Sequence, residues 1–383
     1  MIDNVRVGFI GLGMRGPGAV ERFTYLQGAT VTALCDLYPE PVAAAQAVLA
    51  SRGVAPAVEF TGPSGWKELC DSAHLDLVYV AAPWQLHATI GVYAMEHGKH
   101  VALEVPAATT VDECWALVET SERTGKQCLM LENSCYDYFE MACLRMAQEG
   151  LFGELVHAEG GYCHNLAAYW DKYRDDWSMQ FSREHHGDVY PTHGLGPLCQ
   201  VLDVGRSDKL DYLVSMDSAA FAGEKLAAAR YGSGGFANGD ITSTLIRTAR
   251  GRTILLQHAV MTPQPYSRLY RLYGTLGFAN KYPVPGFVFD QGKEYMPEAD
   301  CQALLKRYEH PLWTELSARA LSVGGHNGID YIMDYRLVHC LRNGLPLDMD
   351  VYDAATWSCI VELSERSILG GSVPVQVPDF RRG

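Results

Sequence analysis

The sequence predicts an α/β chain in two parts: an N-terminal doubly wound parallel sheet over residues 1–135, and a C-terminal α+β part over residues 136–383 with a large, mainly antiparallel open sheet. Three observations carry this. Through the first third, short apolar runs alternate with helix-length amphipathic runs, the βαβ pattern of a parallel sheet. From Lys209 to Val260, and again from Leu269 to Tyr273, the pattern becomes longer strands with turn signals such as Asn238-Gly239 and Arg250-Gly251. The final third returns to amphipathic helices, over Ile329 to Leu341 and Asp353 to Ile368.

Val5 to Ile10 reads as a buried strand and leads into Gly11-Leu12-Gly13-Met14-Arg15-Gly16, a Gly-x-Gly-x-x-Gly turn. A helix is expected from Pro17 to Gln27, then a strand from Val31 to Cys35 ending on Asp36, 20 residues after the last glycine. That spacing is the fingerprint of a Rossmann dinucleotide-binding unit. Glycines let the backbone approach a pyrophosphate at a helix N-terminus, and the acid accepts from the adenosine ribose hydroxyls. Gly11, Gly13, Met14, Arg15, Gly16 and Asp36 are therefore the expected cofactor contacts. NAD is expected over NADP, because Asp36 repels a ribose phosphate and Leu37 and Tyr38 supply no cation for one.

Strand and helix continue to alternate over Leu75 to Ala82, Leu86 to His97, His100 to Val105, Val111 to Thr124 and Gln127 to Leu131. Ligands bind at the carboxyl ends of such strands. Those ends carry Pro83-Trp84-Gln85-Leu86-His87, Glu104-Val105-Pro106-Ala107 and Glu132-Asn133-Ser134-Cys135-Tyr136. Pro83, Trp84, His87, Glu104 and Asn133 are thus expected to converge on the nicotinamide end of the cofactor.

Past a helix from Asp137 to Glu149 comes a strand-like run, Glu154 to Tyr162. Between Tyr162 and His193 the chain gathers His164, Tyr169, Trp170, Tyr173, Arg174, Trp177, Arg183, His185 and His186, a mixture that suits a sugar ring or, equally, a subunit interface. The run Asp188 to Asp203 then places Tyr190 and His193 on a Tyr-Pro-Thr-His-Gly turn that should open a helix. Two proton-transfer groups side by side point to chemistry, and a capped helix start with a hydrogen-bonded histidine accounts for the same pattern. A surface loop is expected over Lys281 to Gly292, and a polar tail over Asp379 to Gly383.

A chain of 383 residues can build two cores. With 48% hydrophobic and 20% charged residues it is ordinary for a globular enzyme. A formal net charge of −14 without any Lys/Arg-rich run argues against nucleic-acid or anionic-membrane partners. Neither a signal-like N-terminus nor a membrane-length apolar run is present, so a cytoplasmic location is expected. The 11 cysteines are scattered singly without Cys-x-x-Cys spacing, which fits a reducing compartment and predicts no metal site.

Taken together, the glycine turn, the Glu104-x-Pro106 segment and the His193 helix resemble the glucose-fructose oxidoreductase and inositol dehydrogenase superfamily. More narrowly, GLGMRG, CDLYPE, PWQLH, EVPA, ENSCYD, GELVHAEGGY, YPTHGLGP, QPYSR, MDYRL and CLRNGLPLDMDVYDAA resemble the NAD-dependent α-N-acetylgalactosaminidases of glycoside hydrolase family 109. The resemblance implies tightly bound, recycled NAD and net retention through oxidation at C3, elimination, water addition and reduction, an exception to the paired-carboxylate scheme. It further implies that His193 with Tyr190 handles the C3 hydroxyl proton, that Tyr136 or Glu104 serves C2 and the leaving group, and that Tyr162, Arg183, Tyr190, His193 and Tyr266 touch the sugar. Where the wider superfamily has a catalytic lysine after the glutamate, this chain has Val105, and it has Gly196 where an aspartate usually follows the histidine, both of which disfavour simple sugar oxidation. It also departs from the narrower family at Ser178 and at Asn327-Gly-Ile-Asp330. A sugar dehydrogenase or epimerase, and a non-catalytic NAD-binding sugar sensor, are the alternatives, and a homodimer or homotetramer is expected.

Overall fold

The computed structural model describes residues 2–290 and 292–381, so Gln291 of the expected loop and the last two residues of the expected tail lie outside the described residues. The chain forms two compact units. The first takes the chain up to Glu132 and adds Lys172–Trp177 and Ala318–Ser358; the second holds Asn133–Asp171, Ser178–Ser317 and the chain from Cys359 onward.

In the first unit, six strands form one all-parallel sheet: β1 Val5–Ile10, β2 Ala29–Asp36, β3 Val58–Thr61, β4 Leu77–Val80, β5 His100–Leu103 and β6 Cys128–Met130. Their order, β3-β2-β1-β4-β5-β6, reverses between β1 and β4, the switch point where such sheets bind ligands. The central strands are buried on both faces, which is why they read as unbroken apolar runs. The helix after the glycine turn runs Gly16–Phe23 and ends four residues before the expected Gln27. Thr24 accounts for this, since its hydroxyl donates to the Glu21 carbonyl and competes with the helical ladder. Strand β3 and the helices Pro39–Ser51 and Gly65–Asp71 were not anticipated; β3 is a four-residue edge strand without buried residues, so no apolar pattern marks it. The helix Val111–Thr124 matches its expected bounds because a complete capping box, Thr110 with Glu113, starts it and left-handed Gly125 ends it.

The second unit is an eight-stranded sheet of β7 Leu155–Cys163, β8 Leu210–Asp217, β9 Thr242–Thr248, β10 Thr253–Ala259, β11 Arg271–Gly274, β12 Gly277–Asn280, β13 Gly286–Phe289 and β14 Val375–Gln376. The order is β13-β12-β11-β7-β10-β9-β8-β14, and only β7 with β10 pairs parallel. Three expectations change here. The stretch expected to be all strand contains a helix, Phe221–Tyr231, whose alanine-rich sequence favours that state, and Asn238-Gly239 lies in the connection after it rather than in a hairpin. The expected loop Lys281 to Gly292 contains β13, since Gly286-Phe-Val-Phe289 pairs with β12. The single helix expected over Asp353 to Ile368 is two, Val351–Ser358 and Ile360–Leu369, and the break coincides with the passage from the first unit to the second.

The helix Thr192–Val201 lies on β7 with almost nothing between the two backbones. A Cβ on Gly160 would meet the Gly194 carbonyl oxygen at 2.4 Å, and one on Gly194 would meet the Gly161 nitrogen at 2.3 Å. Both contacts are to backbone, which cannot rotate aside. Gly194→Ala should therefore push the helix off the strand and lower stability by about 1–3 kcal/mol, read as a lower urea midpoint with an unchanged denaturant slope.

Candidate active site

The glycine turn of the first unit is built for close approach. Gly11 has φ +88°, and a Cβ there would sit 2.4 Å from the Ala81 carbonyl oxygen, while a Cβ on Gly16 would sit 2.2 Å from the Gly11 carbonyl oxygen. At Gly13 nothing lies within 4 Å, which leaves the open face a pyrophosphate needs. Asp36, at the end of β2, accepts from the Leu12 amide at 2.8 Å and the Tyr38 amide at 3.0 Å, so its carboxylate is held beside the turn. These residues fit a dinucleotide.

Arg15 and Glu104, read separately from the sequence, are partners: Arg15 Nε donates to Glu104 Oε1 at 3.0 Å. Arg15 also lies 3.4 Å from Asp330, a residue only 1% exposed that pairs in addition with Arg22 and with the His326 ring. Against the penalty of burial, Arg15, His326 and Arg22 hold the Asp330 carboxyl well below the usual range. Burial wins instead at neighbouring Asp334, pushed up to about 6 although Arg22 donates to it at 2.7 Å. Pro83 precedes the first turn of the helix Trp84–Glu96, and Trp84 meets Trp177 edge-on at 5.1 Å.

His87 is 1% exposed, and its ring nitrogens lie 2.7 Å from the Pro106 and Ala82 carbonyl oxygens, so the ring ties together the loops after β4 and β5. Burial pushes its pKa down. Leu37 and Tyr38 themselves supply no cation, but Arg174 sits 4.5 Å over the Tyr38 ring. It comes from a segment remote in sequence, and Glu40 balances it at 3.8 Å.

In the second unit, Tyr162, Tyr190 and His193 form one aromatic cluster, with ring centroids 4.9, 5.3 and 5.0 Å apart. His164 joins it, 4.6 Å from Tyr162 and 5.1 Å from Tyr266. Four of the five expected sugar contacts are thereby brought together. Arg183 lies apart from those rings: its Nε donates to the Gly235 carbonyl and its guanidinium stacks on Tyr231 at 4.5 Å.

Beneath the rings runs a chain of hydrogen bonds that sequence reading missed. Arg268, buried, donates to Tyr266 Oη and to Ser134 Oγ, and Ser134 Oγ lies 3.3 Å from His193 Nδ1. Ser134 stands on the 3₁₀ turn Asn133–Tyr136, whose last carbonyl accepts from Trp313 Nε1 at 2.8 Å. The expected Asn133 and Tyr136 are buried on that same turn. The available signal was the pair of runs ENSCYD and QPYSR, which contain Ser134 and Arg268. His164 is held neutral: burial, with Arg268 and His193 adding positive charge, pushes it down to about 4.

Asp188 sets the approach to Tyr190. It accepts from the Tyr190 amide at 3.1 Å, and its own amide donates to Ser364 Oγ at 2.9 Å. Burial, opposed by the Tyr190 hydrogen bond and reinforced by Asp217, pushes its carboxyl up to about 7. Between the ordinary carboxylate range and pH 7 the folded chain thus holds a proton that the unfolded chain has lost, so stability falls as pH rises through that window. Asp188→Asn should remove that part of the slope, up to about 4 kcal/mol across the window, in urea unfolding followed from pH 4 to 7.5.

Both parts of the chain match known protein families. The family described as "Glycosyl hydrolase 109, C-terminal domain" matches residues 136–383, and the one described as "Oxidoreductase family, NAD-binding Rossmann fold" matches residues 5–132. Glycosyl hydrolase family 109 protein 1 of Bacteroides fragilis (strain YCH46) is 53% identical over 400 residues, covering 100% of this chain and 86% of that protein. The family 109 protein of Porphyromonas gingivalis is 50% identical with the same coverage. Among solved structures, an NAD binding oxidoreductase from Klebsiella pneumoniae (TM-score 0.75, 17% identity, 98% and 99% of the two chains) and levoglucosan dehydrogenase with NADH and levoglucosan (0.73, 18%, 98% and 100%) share the fold. An NAD-binding Rossmann domain joined to this C-terminal domain makes the protein an NAD-dependent enzyme, and the chain belongs to glycosyl hydrolase family 109.

Proposed function

We propose that the protein is a glycosidase that cleaves α-N-acetylgalactosaminides with net retention, with tightly bound NAD that is recycled rather than consumed. The observation that carries this is the cluster of Tyr162, Tyr190, His193 and Tyr266, wired through Ser134 to buried Arg268, in a family 109 chain with a Gly11 to Gly16 cradle. Gly11, Gly13, Met14, Arg15, Gly16, Asp36, Pro83, Trp84 and Asn133 are the residues we assign to holding the cofactor. NAD, when bound, supplies reversible hydride acceptance at C3 of the sugar.

The chain's own groups do the rest. Ser134 Oγ has a second lone pair besides the one Arg268 uses, and it accepts from His193 Nδ1–H in the tautomer that leaves Nε2 to take the C3 hydroxyl proton. Tyr190, edge-on to that ring, shares the proton's path. A ketone at C3 acidifies the C2 proton, and Tyr136, on the same turn as Ser134, is the group assigned to remove it, so that the C1–O bond can break and water can add. Glu104 holds Arg15 in place. The rings of Tyr162 and Tyr266 cover the apolar face of the sugar.

We place the protein in the cytoplasm, where its 11 buried free thiols suit a reducing medium, and as a homodimer or homotetramer. Val214, Leu245 and Leu255 lie in register across β8, β9 and β10, with Leu245 50% exposed, which makes an apolar strip suited to a second copy. Sedimentation should give a dimer or tetramer that Leu245→Arg weakens; a wild-type monomer at micromolar concentration would refute this. For the chemistry, purified protein given p-nitrophenyl α-N-acetylgalactosaminide without added NAD should release nitrophenol over many turnovers. His193→Ala should lower that rate by about 10²- to 10⁴-fold while retaining the cofactor. NADH accumulating in proportion to product would instead identify a dehydrogenase.

A further inference from the structure

The segment Lys172–Trp177 interrupts the second unit in sequence but packs as part of the first. Its contacts follow the ends of three strands. Tyr38, two residues past the ribose acid at the end of β2, donates its phenol to Asp175 Oδ2 at 3.0 Å. The Arg174 guanidinium stacks on the same Tyr38 ring at 4.5 Å and pairs with Glu40. Tyr173 is half-buried with Arg15, of the turn after β1, and Glu104 as its charged neighbours. Trp177 meets Trp84, at the end of β4, and Tyr173, both edge-on, at 5.1 and 5.2 Å.

A dinucleotide on this fold runs across the same three ends, with adenosine at β2, pyrophosphate at the β1 turn and nicotinamide toward β4. The backbone is consistent with a built strap: Asp175 and Asp176 are successive non-glycine residues with φ 60° and 54°, which persist only where the surroundings hold them. The polar latch to Tyr38 is solvent-exposed, so it can break and re-form at little cost.

We propose that residues 173–177 are a cofactor-retaining strap, in which Tyr173 and Trp177 position the NAD and the Asp175–Tyr38 latch sets how fast it leaves. This rests on the NAD-binding part of the function above and not on the glycosidase chemistry. A recycled cofactor need not exchange between turnovers, and a strap across its track supplies that retention.

The test uses the full-length protein loaded with NADH, whose dissociation into excess NAD is followed by energy transfer from tryptophan. Trp177→Ala should raise the dissociation rate at least tenfold. Tyr38→Phe and Asp175→Ala, which break one hydrogen bond from its two ends, should each raise it severalfold, and the double variant should be no faster than either single one. Circular dichroism and the urea midpoint of the cofactor-free variants report whether the fold is intact. Dissociation within twofold of wild type in Tyr38→Phe and Asp175→Ala would overturn the proposal, as would additive effects in the double variant. Because those two changes are at the surface, the test survives if Trp177→Ala fails to fold. Normal retention by a protein that releases no nitrophenol would sink the glycosidase reading and leave the strap standing.

Discussion

Contact between glycine backbones is the constraint on which the second unit depends. Gly160 and Gly161 on β7 and Gly194 in the first turn of the Thr192–Val201 helix leave no room for side chains between strand and helix. The approach places His193 and Tyr162, two residues from Gly160, within one ring cluster. Close packing of this kind transmits small volume changes directly into side-chain position. A general acid or base tolerates little such displacement, because proton transfer requires hydrogen-bond distance.

Electrostatics divides the two units' tasks. In the first, buried acids and arginines neutralise one another around the glycine turn: Arg15 with Glu104 and Asp330, and Arg22 with Asp330 and Asp334. Removing one partner from such a group leaves an uncompensated buried charge, so the set is held as a whole. In the second, Arg268 is paired with neutral hydroxyls, and its positive charge together with burial keeps His164 uncharged beside His193. One arrangement steadies the glycine turn, and the other keeps an uncharged ring beside His193.

Much of the first unit was legible in sequence because its signals are local. The glycine turn, the acid that follows it and the capping box at Thr110 each depend on residues within about one βαβ unit. Boundaries failed where a side chain competes with the ladder, as at Thr24, or where a strand sits at an edge and buries nothing, as at β3. In the second unit, Phe221–Tyr231 was hidden because strand expectations were carried across an alanine-rich insert, and β13 because proline and glycine around it read as loop.

By itself the sequence determined the kinds of groups present and their local settings: a dinucleotide turn, an acid past β2, and a tyrosine and histidine three residues apart at a helix start. Only the tertiary structure decided which of them work together. Ser134 reaches His193 across 59 residues and Arg268 across 134, distances over which no periodicity speaks. The structure also gave the His87 ring nitrogens and Arg183 Nε to backbone carbonyls, and it set Arg174 over the Tyr38 ring from a segment 136 residues further along the chain. The physical reason is the same each time: a buried or stacked polar side chain takes whichever partner the fold brings within reach, and that partner is a property of packing, not of spacing.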